Sequence, residues 1–459
     1  MERLPREIIQ IIVEECDFMT KIKLASINNF FYKIVEIHDL IDIPKFCFKK
    51  LNDAILKQKK FKNLKKIRVN SEITQVGISH LNLIELIVKQ NNKINNVTFM
   101  KKLKILNASY DSASFCNAIN QNGIQELDLI ELNVYNNENI IDVSFMKNLK
   151  ILNASGYNCG IDQKGIDGLD LIELDVNNNI NITDVSFMKN LKILNVSGCD
   201  CGIDQNGIRG LDLIKINANN NQKINNVSFM KNLKYLDANF SSAIDQKGIK
   251  GLDLFKLNAF HNMKINDVSY MKNLKHLIAG HDCGIDQKSI KGLDLVKLVI
   301  PYNLKINNVS FMKNLKILNI TDCEIDQKNI EILDLVELYV SSNDKINNVS
   351  FMKKLKVLNA SVKSGIDQKG IQGLDLIELN VLGNDKIYDV SFMKNLKRLD
   401  AGCHCGIDQI GIQGLDLHYL SSSYNPKIYD VSFMKNLKRI NGYHPNDYKE
   451  NDVKVYKSG

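Results

Sequence analysis

Between Val97 and Lys435 one five-residue phrase recurs nine times. It reads Val-Ser-Phe-Met-Lys, with Thr98 and Tyr270 as its variants. Its aromatic falls at Phe99, Phe145, Phe187, Phe229, Tyr270, Phe311, Phe351, Phe392 and Phe433, at intervals of 46, 42, 42, 41, 41, 40, 41 and 41 residues. A fixed interval of this size restricts the chain to a stack of like units, each covering the apolar face of the one before it. It also directs the functional reading, because stacked units present a long surface that suits binding better than catalysis.

Each unit divides into two similar halves. The first runs Val143-Ser-Phe-Met-Lys-Asn-Leu-Lys-Ile-Leu-Asn-Ala154 and the second Ile161-Asp-Gln-Lys-Gly-Ile-Asp-Gly-Leu-Asp-Leu-Ile-Glu-Leu-Asp-Val176. Both end in an apolar-x-x-Leu-x-apolar step, the alternation of a short strand with one buried face. The second aliphatic of that step recurs from Ile67 to Ile440, 373 residues over 18 steps, or about 20.7 per step. That interval lies in the range of leucine-rich repeats, roughly 20–29 residues.

The two halves resemble two leucine-rich-repeat subtypes. Cys159 to Leu174 resembles the cysteine-containing type that follows F-boxes in eukaryotic ubiquitin-ligase receptors, and Asn179 to Leu191 resembles the internalin type. The resemblance implies an α/β solenoid with a curved parallel sheet on its concave side. Short helices or 3-10 turns are expected on the convex side. The residues agree with it: Asp162 is placed to cap a short helical segment from Gln163 to Leu169. Gly165 and Gly168 suit tight packing there, and Phe145 with Met146 are expected to form an apolar stack in the convex core.

The first sixty residues follow a helical period instead. Leu4 and Pro5 precede Ile8, Ile9, Ile11, Ile12 and Val13, with Pro5 at a helix start. Phe18, Ile22, Leu24, Ile27, Phe30, Phe31, Ile34 and Val35 follow. This order resembles an F-box over residues 1–40, with Phe30 or Phe31 in place of the tryptophan frequent in that family. The resemblance implies docking on a Skp-type adaptor through Leu4, Pro5, Ile8, Ile9, Ile12, Leu24 and Ile27. The alternative is a plain helical cap over the first apolar face of the solenoid. Residues 41–62 read as a basic linker and N-terminal cap with a short helix. Residues 63–441 then hold about 19 leucine-rich repeats of about 20–22 residues, and 442–459 a C-terminal tail.

Composition narrows the classes. The apolar run at 8–13 is too short and too charged at its flanks for a secretory signal, and no stretch approaches the length of a membrane span. The formal charge is +8. Much of it sits at one repeat position, in Lys147, Lys189, Lys231, Lys272, Lys313, Lys353, Lys394 and Lys435. Asp170, Asp212, Asp253, Asp294, Asp334, Asp375 and Asp416 form a matching ladder, so both read as a solvated face. The Lys ladder is not interleaved with aromatics, which sets nucleic acid aside as a long shot. Richness in Asn, Ile and Lys fits an AT-rich genome. With the F-box and repeat layout it resembles proteins of giant amoeba-infecting DNA viruses, a slime-mould or amoeba protein being the alternative.

The ten cysteines fall mostly just after a predicted strand. Equivalent positions lie two strands apart, about 10 Å, too far for a disulfide, so reduced, half-buried thiols of a cytosolic protein are expected. Cys199-Asp-Cys201 and Cys403-His-Cys405 lack the spacing of a zinc site. No nucleophile, metalloprotease or phosphate-loop motif occurs. The chain is therefore read as no enzyme, with no cofactor.

The F-box and repeat layout together imply the substrate-recognition subunit of a cullin-based ubiquitin ligase, cytoplasmic, partnered by the Skp-type adaptor, the cullin complex and a protein target. A repeat scaffold without a ubiquitin role is the alternative. The target site is sought on the concave sheet, where residues alternating with the buried Leu need not repeat for packing. Before the buried aliphatic of the second half come Glu131, Glu173, Lys215, Lys256, Lys297, Glu337, Glu378 and Tyr419. The sign flips and flips back. Tyr235 and His276 fall at the matching position between them, and Phe260 and Tyr302 near strand ends. A basic patch with aromatics suits an acidic or phosphorylated segment; the alternative is an ordinary solvated sheet.

Overall fold

The computed structural model describes residues 5–89, 91–110 and 119–441. Leu4 and Cys116 lie outside them. The chain divides into two compact units, 1–224 and 225–459.

The first unit opens with three helices, α1 (Arg6–Glu14), α2 (Phe18–Ala25) and α3 (Asn29–Ile34). Local chemistry sets their starts. Asp17 accepts from the Thr20 amide at 3.0 Å and Asn28 from the Phe31 amide at 3.0 Å, each satisfying an otherwise orphaned N–H. Ile9, Val13, Ala25, Phe31, Ile34 and Val35 make one small core, with Leu24 packed against it. A strand, β1 (Asp39–Leu40), follows, then α4 (Lys45–Phe48) and α5 (Asp53–Leu56). Residues 41–62 thus hold two short α-helices and a 3-10 turn at Lys59–Phe61 rather than one helix, and the sheet begins before them.

From there the unit is a ladder of short strands. These are β2 (Lys66–Arg68), β3 (Glu85–Ile87), β4 (Ile105–Asn107), β5 (Glu131–Asn133), β6 (Ile151–Asn153), β7 (Glu173–Asp175), β8 (Ile193–Asn195) and β9 (Lys215–Asn217). Each pairs in parallel with its chain neighbour, starting from Leu40 against Ile67. The second unit repeats the design with β10 (Tyr235–Asp237), β11 (Lys256–Asn258), β12 (His276–Ile278), β13 (Lys297–Val299), β14 (Ile317–Asn319) and β15 (Glu337–Tyr339). It continues through β16 (Val357–Asn359), β17 (Glu378–Asn380), β18 (Arg398–Asp400), β19 (Tyr419–Ser421) and β20 (Arg439–Asn441). These too pair in parallel and in chain order.

The aliphatic series from Ile67 to Ile440 occupies the middle of every strand from β2 to β20, and none of its members is more than 5% exposed. Alternation then turns the residues on either side outward. The rest of each coil fills the same core. Val143, Met146, Leu149, Ala154, Ile161, Ile166, Leu169, Leu171 and Val176 are all buried.

The repeated phenylalanine departs from expectation. Met146 and Met230 are completely buried, whereas Phe145 and Phe229 are each 37% exposed. The Met side chain alone reaches the core, and the Phe ring lies half over the surface beside it. The expected helix from Gln163 to Leu169 is also shorter, a single 3-10 turn over Lys164–Ile166. Asp162 does cap it, accepting from the Lys164 and Gly165 amides at 2.9 and 3.0 Å. Gly165 is there for close approach, since a Cβ would meet the Ile141 carbonyl oxygen at 2.2 Å. Gly168 is there for its backbone, with φ of +64°.

Amide ladders hold the turns, and the repeat pattern had not singled them out. Asn91, Asn137, Asn179, Asn221, Asn262, Asn303, Asn343, Asn384 and Asn425 are all buried. Asn262 is typical. Its Nδ2 donates to the Ala238 and Ile244 carbonyls at 2.7 and 3.1 Å, and its Oδ1 accepts from the Lys264 and Ile265 amides at 2.9 and 3.3 Å. A second ladder joins adjacent turns: the Gln246 Oε1 accepts from the Asn266 and Asp267 amides, and its Nε2 donates to the Asp267 carbonyl.

Candidate binding face

In the second unit the outward residues of β10 to β13 stand in register, Tyr235 beside Lys256, Lys256 beside His276 and His276 beside Lys297. Neighbouring strands lie about 4.8 Å apart, so these side chains form one row. Two other cations of the same row are neutralised by a neighbouring strand. Lys66 meets Glu85 on the next strand at 3.3 Å, and Arg398 meets Glu378 at 3.1 Å. The Lys256 and Lys297 ammonium groups make no ion pair or hydrogen bond among the described residues. His276 between them feels the result: partial burial, then Lys256, then Lys297 push its imidazole below the ordinary histidine range.

The loop leaving each strand adds a second row. One residue there has positive φ in coil after coil. In the first unit it is Asn136, Gly156, Asn178, Gly198 and Asn220, residue types that accept this conformation. In the second unit the same position holds Phe240 (φ 50°), His261 (59°), His281 (55°) and Tyr302 (60°) on four successive coils. A bulky side chain there costs roughly 1–2 kcal/mol each. Backbone strain of this kind concentrates at functional sites.

The rings meet one another. Phe240 and Phe260 are edge-on with centroids 5.6 Å apart, Phe260 and His281 edge-on at 5.0 Å. His261 and His281 stack at 4.2 Å, and His281 reaches Tyr302 at 4.6 Å. At the entry side of the strands Phe255 touches Tyr235 at 5.9 Å and His276 at 5.2 Å. Tyr302 is 47% exposed and Tyr235 38%, while Phe260, His276 and Lys297 are half-buried.

The structure therefore brings Tyr235, Lys256, Phe260, His276, Lys297 and Tyr302 onto one face of one unit. Lys215 occupies the equivalent position on β9, in the other unit, paired with Ile193 on β8. Sequence reasoning missed Phe240, Phe255, His261 and His281. Phe240, His261 and His281 stand at a position that the first unit gives to Asn and Gly, while Phe255 stands before its strand where the first unit has Ile130, Ile172 and Ile214. The acidic flank is real in the first unit: burial first, then Glu85 and Glu173, raise the Glu131 carboxyl.

Among the adaptor candidates, Pro5 is exposed, Ile8 is 44% and Ile27 62% exposed, and Ile11, unassigned before, is 58% exposed. Ile12 and Leu24 are half-buried. Ile9 is completely buried in the three-helix core, so its side chain supports that surface rather than forming it.

Cys159, Cys201, Cys283, Cys323 and Cys405 are buried outright rather than half-buried, while Cys199 and Cys403 are exposed. Burial pushes the Cys201 and Cys283 thiols up to about 11 and Cys323 to about 12. Among the described residues no three His, Cys, Asp or Glu side chains converge as metal ligands. No described helix is long and apolar enough to cross a membrane.

No protein-family profile and no curated protein sequence matches the chain. Solved structures do. TLR13, in a TLR13–ssRNA13 complex, aligns over 92% of this chain and 83% of its own, at 15% identity and a TM-score of 0.49. A leucine-rich-repeat protein of Leptospira interrogans aligns over 96% and 94%, at 14% identity and a TM-score of 0.29. The functional domain of InlJ from Listeria monocytogenes, which includes a cysteine ladder, aligns over 77% and 75%, at 18% identity and a TM-score of 0.30. With one short parallel strand and one tight turn per step of about 20.7 residues, each unit of this chain is built as a leucine-rich-repeat solenoid.

Proposed function

We propose that the chain is a protein-binding solenoid that serves as the target receptor of a cullin-based ubiquitin ligase. The N-terminal helices dock a Skp-type adaptor and the repeats hold a target protein. One observation supports the docking part above all. Ile8 and Ile11 lie three residues apart on one face of α1, 44% and 58% exposed, while Ile9 and Val13 on the other side complete the helical core. The core does not need the exposed pair, and aliphatics left outside a finished core suit a partner's groove.

Such a receptor needs no catalytic residue and no cofactor. It raises the local concentration of target lysines beside a charged conjugating enzyme, converting an encounter in solution into one within a complex. The reading places the protein in the cytoplasm, that of an infected host if its origin is viral. The other reading is an interaction scaffold with no ubiquitin link, and the exposed outward row of the second unit supports both equally.

Deleting residues 1–40 is a poor test, because it removes β1 from the edge of β2. The better variant replaces Ile8 and Ile11 with Glu in the full chain. Adaptor and cullin should co-purify with the wild type from a eukaryotic host and be lost from the double variant at unchanged melting temperature. Absence of adaptor from the wild-type complex would leave the scaffold reading.

A further inference from the structure

The second unit carries a built surface with no charged partner among the described residues. Two lysines stand without counter-charges, and four successive coils hold bulky rings in a conformation the first unit gives to Asn and Gly. Packing does not require either feature, since the same coil closes without them in Asn136, Gly156, Asn178, Gly198 and Asn220.

We propose that the rim formed by Phe240, Phe260, His261, His281 and Tyr302, beside Lys256 and Lys297, binds an acidic peptide segment of the target protein. The inference rests on the solenoid being the target-holding part, and it names the target's chemistry.

Three observations converge on this occupant. The first is charge. Of the outward strand positions on β10 to β13 only Asp237 is acidic, and Asn258 already donates to it at 3.0 Å. The unpaired lysines therefore set the sign of the face, and peptide carboxylates supply the counter-charge that Glu85 or Glu378 supplies elsewhere on the same row.

The second is ring geometry. His261 stacks on His281 with an interplanar angle of 19°, and Phe260 is edge-on to His281 at 80°. His261 also stacks on Phe240 at 22°, and His281 also meets Tyr302 at 32°, so each histidine has neighbouring rings against it rather than an open face. Edges are the positive part of an aromatic quadrupole, and imidazole edges carry N–H donors. They attract carboxylates. A nucleobase needs an open ring face to stack on, so the same geometry disfavours single-stranded nucleic acid.

The third is an apolar strip. Ile278 and Val299 fill the outward third position of β12 and β13, beside each other in register and half-buried. They lie between the lysine row and the rim, which gives an aromatic or aliphatic anchor of the peptide somewhere to settle.

The test uses the full chain and fluorescence anisotropy. The probe is a short fluorescein-labelled peptide with one tryptophan flanked on both sides by glutamates. Competitors are the same peptide with glutamine for glutamate, and oligothymidine. Two double variants are compared, Lys256→Gln with Lys297→Gln, and His261→Asn with His281→Asn. The second pair installs the residue the first unit uses at this position, so it should melt no lower than wild type. The expected result is saturable binding that weakens with salt, no competition by the glutamine peptide or oligothymidine, and a loss of roughly tenfold or more in each variant. Absent binding overturns the proposal, as do a glutamine peptide that binds equally, oligothymidine that binds more tightly, or variants that bind as wild type. Adaptor co-purification reads the N-terminal helices separately, so a failure here is distinguishable from a failure of the ligase reading.

Discussion

Asn262 offers a quantitative test of how the coils are held. Its amide makes four hydrogen bonds, two given and two received, at a side chain only 2% exposed. That uses its full donor capacity. Asn262→Leu keeps the volume and leaves two carbonyls and two amides orphaned in the core. At about 1 kcal/mol net for each bond, the loss is about 4 kcal/mol, and orphaned groups push it higher. A long repeat array does not unfold in one step, so native-state hydrogen exchange is the better assay. The Lys264 and Ile265 amides should lose protection by roughly a thousandfold, since every 1.4 kcal/mol is tenfold. Asn258, half-buried at the strand exit, accepts only from the Phe260 amide at 3.2 Å and donates to Asp237. On the same count Asn258→Leu should cost about 2 kcal/mol. Equal protection in the two variants would show that coil closure depends on apolar burial alone.

Three further outcomes follow from the same geometry. Met230→Ala should cost about 2–5 kcal/mol and Phe229→Ala clearly less, as measured by urea denaturation; the reverse order would place the Phe ring in the core. In the native protein Cys199 and Cys403 should react with iodoacetamide at pH 8, while Cys201, Cys283 and Cys323 resist because burial keeps them protonated; mass spectrometry of the alkylated sites decides this. His276 is held below its unfolded range of about 6.5. The unfolded chain therefore takes up this proton first, and stability is lost as pH falls below that value toward the folded one. Replacing Lys256 and Lys297 with Gln should raise the His276 titration midpoint by NMR, and an unmoved midpoint would remove the lysines as a cause.

The architecture was legible because a coil repeats its core. Every aliphatic from Ile67 to Ile440 had to fall at the middle of a strand once the step was found. The Phe–Met pair was misassigned because periodicity reports that a position matters, and not which of two adjacent side chains turns inward. Asn262 and its equivalents repeat as faithfully as Leu257, yet an Asn reads as solvated until four backbone partners surround it. The lysine row was visible as a change of sign. Of the rim only Phe260 and Tyr302 were, because Phe240, His261 and His281 stand out only when the backbone at Asn136 and Asn178 is known to be left-handed.

The central claim is that a target is held on the outward face of the second unit. Hydrogen–deuterium exchange of the full chain, with and without saturating acidic peptide, tests it most directly. The account predicts new protection confined to the strands and loops from Tyr235 to Tyr302, lost in the Lys256→Gln and Lys297→Gln double variant. Protection that falls instead on the 3-10 turns of the opposite side, or on α1 to α3, would contradict it.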